Sequence, residues 1–291
     1  MYIRRVLLMV SLGILLLGLA VITAIGQPQQ PPIDVMFTGA RVPLDVERAA
    51  PLFARAAARA IPLIPQTLIR PHGGGTIKEV RIRALHDGKM IYIELSWSDS
   101  TSNATPRRQT DFTDAVALQF PVAPGTLPNP FMGDRLRPVN IWQWKASWQD
   151  ELTRARDLRV AYPDMAVDYY YDTQFLKDEA ARRAFNAGAA AGNLLSLPRR
   201  TSAVEDLVAW GFGTLTTQPQ QDVVGFGSWR QGRWTVLLAR PLRTGDPADV
   251  QFQPRTAPFV NFAVWDGGNR DRNGQKNVTL MWWPLRLQAR P

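Results

Sequence analysis

The 291-residue chain has no Cys, two His, ten Trp and a formal net charge of +9. Lack of Cys excludes disulfides, thiolate zinc sites, iron–sulfur ligation and a Cys nucleophile. The positive charge raises nucleic acid as a partner, but the Arg residues are scattered through turns and strand ends, with no nucleic-acid motif, so an acidic protein surface fits better and no nucleic acid is expected.

At the N-terminus, Arg4 and Arg5 precede an uncharged run from Val6 to Gly26. Ala24-Ile25-Gly26 offers the small residues that a signal peptidase reads, and the polar Gln27-Pro28 follows at once, which favours cleavage. The run is also long enough to span a bilayer as an uncleaved anchor. Either reading exports the rest of the chain to the periplasm or another extracytoplasmic space, with a membrane tether as the alternative to a free domain. Residues 27–45 read as a tether, because Gln27 to Pro32 is too rich in Gln and Pro to pack. Residues 46–291 read as one domain.

Val46 to Ile61 has Ala-rich helical character, with Pro51 expected in the first turn. From Ile77 the period changes to two. Val80, Ile82 and Ala84 alternate with Arg81 and Arg83, and Asp87-Gly88 turns the chain into Met90 to Trp97, which predicts a hairpin. Further strands are expected at Ala115 to Phe120, Val139 to Trp148, Trp210 to Thr217, Val223 to Trp229, Trp234 to Leu238, Val260 to Trp265 and Val278 to Leu287. The main helical interruption, Gln174 to Ala190, falls within an insertion from Asp150 to Arg200. Many short strands without βα alternation predict a mainly β fold, an antiparallel β-sandwich with a short helical insertion.

Acid–base machinery does not emerge. His72 and His86 both read as exposed turn residues, and no Gly-x-Ser-x-Gly elbow exists. Asp111, Asp114, Glu205, Asp266 and Asp271 have no partner of obvious chemical purpose. Gly73-Gly74-Gly75 lacks the Lys-Ser/Thr ending of a phosphate loop. Taken alone, Met132 is a gap-filling side chain under a loop and Lys276 a solvated turn residue.

Three segments change that reading: Pro130-Phe131-Met132-Gly133-Asp134, Pro138-Val139-Asn140-Ile141-Trp142-Gln143-Trp144-Lys145-Ala146, and the run from Phe262-Ala263-Val264-Trp265-Asp266-Gly267-Gly268-Asn269 to Lys276. Together they resemble the haem-binding gamma subunits of ethylbenzene dehydrogenase and its relatives. Those relatives are third subunits of periplasmic molybdenum oxidoreductases akin to dimethyl sulfoxide reductase, among them chlorate, selenate, dimethyl sulfide and nitrite-oxidising enzymes. Gly192-Asn193-Leu194-Leu195-Ser196, Val204-Glu205-Asp206-Leu207, Gly211-Phe212-Gly213-Thr214-Leu215 and Gly232-Arg233-Trp234-Thr235-Val236 continue the likeness, which runs from about Ile77 to the end.

The resemblance implies one b-type haem, its iron held between Met132 and Lys276, and no catalytic residue in this chain. Without Cys-x-x-Cys-His the haem would be non-covalent. A thioether stabilises ferrous iron, while Lys276 must bind as the neutral amine, which burial beside Trp265, Val278 and Trp282 would favour. Lys145, Arg137 and Arg270 lie near these segments and are candidates to neutralise haem propionates, although solvated charge is the plainer reading of each. Implied partners are the iron–sulfur and molybdenum catalytic subunits of a heterotrimer and a soluble cytochrome c-type carrier. The alternatives are ligation by the two histidines, a sandwich that binds carbohydrate on exposed Trp residues, and a structural subunit that has lost its haem.

Overall fold

The computed structural model describes residues 30–153, 162–166, 178, 180–181, 187–197, 200–253 and 258–289. The expected leader and most of the 150–200 insertion lie outside these residues; of the helix expected from Gln174 to Ala190, the last turn, Ala187–Ala190, is described and is helical.

Fourteen strands account for the fold: β1 Ile33–Phe37, β2 Arg59–Pro62, β3 Ile64–Pro65, β4 Glu79–His86, β5 Met90–Ser98, β6 Ala115–Pro121, β7 Val139–Lys145, β8 Val204–Ala209, β9 Thr216–Thr217, β10 Val224–Arg230, β11 Arg233–Pro241, β12 Phe259–Trp265, β13 Asn277–Val278 and β14 Trp283–Leu287. Among the described residues they are joined by α1 Val46–Phe53, α2 Ala146–Thr153 and a single helical turn at Ala187–Ala190. The strands hydrogen-bond in the order β10-β11-β5-β4-β1-β14-β12-β6-β7-β8-β9, with β2 beside β4, β13 beside β12 and β3 beside β13. β14 pairs with β1 and with β12, so it is the corner at which this continuous sheet folds back on itself.

Period-two alternation decides what each layer buries. Ile91, Ile93, Leu95 and Trp97 of β5 face Trp142 and Trp144 of β7 and Phe262 and Val264 of β12 across one core. Trp97, Trp144 and Trp234 meet at its centre, with ring centroids 5.0–6.3 Å apart. Gly227 makes room for Trp144, because a Cβ there would stand 2.3 Å from Cζ2 of that indole. On the outer face of the β4–β5–β11 layer, α1 lays Ala49 and Phe53 over Leu85, Tyr92 and Leu237.

The mainly β fold agrees with the expectation from sequence, and one pairing adds to it. β1 lies parallel to both β14 and β4. A parallel pair needs a crossover, and α1 with β2 supplies it between β1 and β4. Ile33–Phe37 thus belongs to the sheet rather than to a tether.

Other boundaries move for physical reasons. The helix expected to reach Ile61 stops at Phe53, with Pro51 inside it and Asp45 as its N-cap accepting from the Arg48 N–H (2.9 Å). The chain beyond leaves for β2, where Ile61 is buried against β4. β7 ends at Lys145, and the Trp148 segment is helical instead. The strand expected at Trp210 to Thr217 is β8, Val204–Ala209, followed by an exposed loop and the short β9. Its adjacent Glu205 and Asp206 disguised a fully buried strand. The last expected strand breaks at 279–282, where the chain leaves the Ala263 end of β12 and rejoins it at Val260.

Candidate functional site

The outer face of the β12–β6–β7–β8 layer carries a different set of side chains from its inner face. Cross-strand register arranges them in rows: Trp265, Ala115 and Lys145; then Ala263, Ala117, Gln143 and Glu205; then Asn261, Gln119, Ile141 and Leu207. The centre of this surface is made of three alanines, so it is low where the inner face is filled by indoles. Trp265 and Trp282 border it, together with Leu127, Met132 and Phe259.

Met132 sits at the Gln119 end. Gln119 donates through Nε2 to the Pro130 carbonyl (2.9 Å) and accepts from the Met132 N–H (3.2 Å). Asn261 also donates to the Pro130 carbonyl (3.2 Å), and the Trp282 indole donates to Pro128 (3.0 Å). Met132 has φ 68° and Gly133 φ 73°, two left-handed residues in succession. For a long side chain that conformation is strained, and strain of this kind collects at functional positions. Gly133 is required here, since a Cβ would stand 2.9 Å from the Arg137 carbonyl oxygen.

Lys276 sits at the opposite end. Its Nζ lies 4.7 Å from the centroid of the Trp265 ring. Ala115 and Trp265 are four residues along the strands from Gln119 and Asn261, a span of about 13 Å. Burial pulls the Lys276 amine down to about 8. Among the described residues no carboxylate pairs with it.

The backbone that presents Lys276 is clamped from below. The Gln66 N–H donates to the Lys276 carbonyl (2.9 Å), and Gly74 N–H donates to Asp271 Oδ1 (3.1 Å). Asn277 donates to the Val264 carbonyl (3.1 Å) and accepts from the Gly75 N–H. Gly73 and Gly74 permit this approach: Cβ atoms there would stand 2.2 Å from Gln275 Cβ and 2.3 Å from the Lys276 carbonyl oxygen. The glycine run that carries no phosphate signature is a seat for the lysine loop. Its three successive glycines were the only sequence signal of close backbone contact.

The remaining candidates are placed differently from expectation. His86 is buried, not an exposed turn residue, with Nε2 2.9 Å from the Gln288 carbonyl and its ring against Phe37. His72 is exposed, and its carbonyl accepts from Gln275 (3.0 Å). The two belong to different layers, which removes joint ligation. Lys145 is ion-paired with Glu205, which also accepts from the Thr217 hydroxyl, and Arg137 is paired with Asp134 (2.9 Å). Arg270 is exposed on a positive-φ turn. Of the ten Trp residues only Trp210, 41% accessible, is exposed, so the protein offers no row of indoles to a sugar.

A thioether and a depressed, unpaired amine thus stand at two ends of a low apolar surface. A thioether, and an amine once it has lost its proton, are both groups that can donate to a metal, and the alanines leave space that larger side chains would fill.

Comparison with known proteins places this arrangement in context. The chlorate reductase subunit gamma of Ideonella dechloratans is 28% identical over 74% of this chain and 67% of its own length. The dimethylsulfide dehydrogenase subunit gamma of Rhodovulum sulfidophilum is 24% identical over 76% of this chain and 65% of its own. A Haloferax mediterranei protein provisionally named a respiratory nitrate reductase heme subunit is 24% identical over 70% of this chain, and the match spans about half (54%) of that relative. Among solved structures, a family 9 carbohydrate-binding module from Caldicellulosiruptor kristjanssonii in complex with glucose aligns over 90% of this chain and 97% of its own, at 10% identity and a TM-score of 0.42. That likeness is too distant to bear on function. The family described as ethylbenzene dehydrogenase matches residues 50–277, most of the chain and both candidate ligand segments, and the protein belongs to that family.

Proposed function

We propose that this chain is an electron-transfer subunit that holds one b-type haem between Met132 and Lys276. The observation that carries the reading is Lys276: a partly buried amine set against the Trp265 ring, with no acidic partner among the described residues, pulled down to about 8 and facing the surface that Met132 borders. An amine partly withdrawn from water without a counter-ion is costly unless its neutral form has a use. Iron ligation is such a use.

When bound, the haem would supply reversible one-electron chemistry. The protein's residues would do the rest. Met132 would present a soft, neutral sulfur that favours the reduced metal. Lys276 would give up its proton to bind, and the Trp265 face would keep water from it. Gln119 and Asn261 would hold the methionine turn, and Gly73, Gly74 and Asp271 the lysine loop, as supports one step removed from the metal.

The family supports a place beside iron–sulfur and molybdenum catalytic subunits, with a soluble cytochrome c-type protein as the outer carrier. In that role the chain turns over no substrate of its own. An exported location, periplasmic and either free or tethered by the N-terminal run, follows from the same reading. The carbohydrate-binding alternative loses ground because nine of ten indoles are not exposed.

The test is a reduced-minus-oxidised visible spectrum of the full chain exported from a haem-replete host, beside Met132→Ala and Lys276→Ala. A b-type spectrum altered in both variants is expected. A folded, colourless wild type that also refuses added haem would overturn the proposal. The proton on Lys276 competes with the metal, so haem affinity should fall about tenfold per pH unit below roughly pH 8. In Lys276→Met that slope should vanish.

A further inference from the structure

Three carboxylates outside the haem surface gather at one end of the sandwich. Asp99 follows β5, Asp114 precedes β6 and Asp266 follows β12. Their residues are 5%, 0% and 9% accessible, and one oxygen from each lies within 4.8 Å of the others. No Lys, Arg or His pairs with any of them among the described residues.

Most of their oxygens are engaged. Asp114 accepts from the N–H groups of Asn103 (2.7 Å) and Gly267 (2.8 Å) and from the Trp234 indole (2.9 Å). Asp266 Oδ1 accepts from the Asn269 N–H (3.0 Å), and Asp99 Oδ1 from the Thr101 N–H (3.0 Å). Asp99 Oδ2 is the exception: fully enclosed, it closes no hydrogen bond of normal geometry, and the donor beside it is the Trp97 indole N–H, itself otherwise unpaired. Three buried carboxylates together, one of them met on Oδ2 by no more than an indole N–H, are an expensive arrangement unless a positive charge joins them.

Neutral oxygens lie nearby: the Thr101 hydroxyl donates to Asn103 Oδ1 (2.7 Å) and approaches Asp99 Oδ1 (3.3 Å). A Cβ built on Gly268 would stand 2.9, 3.1 and 3.2 Å from Thr101 Oγ1, Asp266 Oδ1 and Asn103 Oδ1. These oxygens thus converge around a residue that has no side chain to obstruct them. All five donors are oxygens, which selects a hard cation rather than zinc or copper. Oxygens on opposite sides of a calcium ion stand about 4.6–5.2 Å apart, twice the ligand distance, so a cluster of this span suits one such ion.

We propose that Asp99, Asp114 and Asp266, with Thr101 and Asn103, bind one calcium ion that staples the β5 end of one layer to the β6 and β12 ends of the other. The same ion would fix the start of the 266–276 loop. The site needs neither Met132 nor Lys276, so it stands or falls apart from the haem reading.

The experiment is calorimetric titration of calcium chloride into the chelator-treated full chain, with thermal melting and terbium luminescence alongside. One calcium per chain is expected, with a rise in Tm. Terbium should light up on indole excitation, since Trp234 touches Asp114, and calcium should quench it by displacement. Asp99→Asn should weaken calcium binding by more than about tenfold, while its calcium-free Tm stays at or above that of the stripped wild type. Asp99 serves as the test because Asp114 also anchors three protein donors and its loss would disturb folding. No binding heat and no Tm change at millimolar calcium would overturn the proposal, as would a calcium affinity unchanged in Asp99→Asn.

Discussion

The two faces of the β12–β6–β7–β8 layer share a backbone and differ in everything else. Inward, Trp144 packs against Trp97 and Trp234, and Trp142 against Phe120 and Phe252, within one core that also takes in Phe262. Outward, Ala115, Ala117 and Ala263 leave a low surface between two strained or clamped loops. The inner face is built for density, because close packing is what stabilises a core. The outer face gives up such contacts and gains room. A strand that alternates large and small side chains thus separates a densely packed face from a low, open one within seven residues.

Substitutions on the two faces sharpen the contrast. Trp144→Ala should cost the most, about 3–5 kcal/mol in denaturant unfolding, because its cavity opens in the middle of the indole cluster. A loss below about 1 kcal/mol would mean that the centre is loosely packed. Gly74→Ala attacks the outer side through its clamp. Its φ of 86° and a Cβ 2.3 Å from the Lys276 carbonyl oxygen predict about 1–3 kcal/mol of destabilisation together with loss of haem uptake. Equal destabilisation with normal haem uptake would separate the clamp from the site.

The inner face has one polar inclusion, and it carries a pH signature. Asp206 accepts from Asn140 (2.6 Å), close to the buried pair of Arg240 and Asp249 (3.4 Å). Burial and the Asp249 charge push Asp206 up to about 8. A carboxyl raised in the folded state holds a proton that the unfolded chain has lost, so its contribution falls as pH rises from the unfolded value near 4 to about 8. Asp206→Asn should therefore flatten the stability profile across that window, by up to about 1.4 kcal/mol per pH unit relative to wild type. Parallel wild-type and variant profiles would show that Asp206 is ionised throughout.

Ala263→Leu should have the smallest effect on folding and a large one on binding. Filling a packed core typically costs about 1–3 kcal/mol, and on the partly exposed alanine surface the change should stay under about 1 kcal/mol. The b-type spectrum should nevertheless be lost. A core-sized penalty would break the comparison, because it would mean that the outer surface is already full.

Much of this was legible in the chain. The hairpin of β4 and β5 was readable because Asp87-Gly88 punctuates two alternating runs, and Asp87 indeed caps the turn by accepting from the Lys89 and Met90 N–H groups (2.8 Å each). β8 was not, because Glu205 and Asp206 look like solvent-facing residues until Lys145, Thr217 and Asn140 are folded against them. His86 misled in the same way: a His beside Asp-Gly reads as a turn, yet the carbonyl it meets comes from Gln288, at the far end of the chain.

Sequence by itself determined the mainly β character, the family and the two ligand candidates, since alternation, turn chemistry and motif order are properties of neighbouring residues. Tertiary structure alone decided what those residues could do. It set Met132 and Lys276 at two ends of one alanine surface, seated the lysine loop on Gly73 and Gly74, and gathered Asp99, Asp114 and Asp266 from three strand ends. The reason is separation along the chain: groups that lie more than a hundred residues apart acquire a shared chemistry only when sheet register brings their strands together.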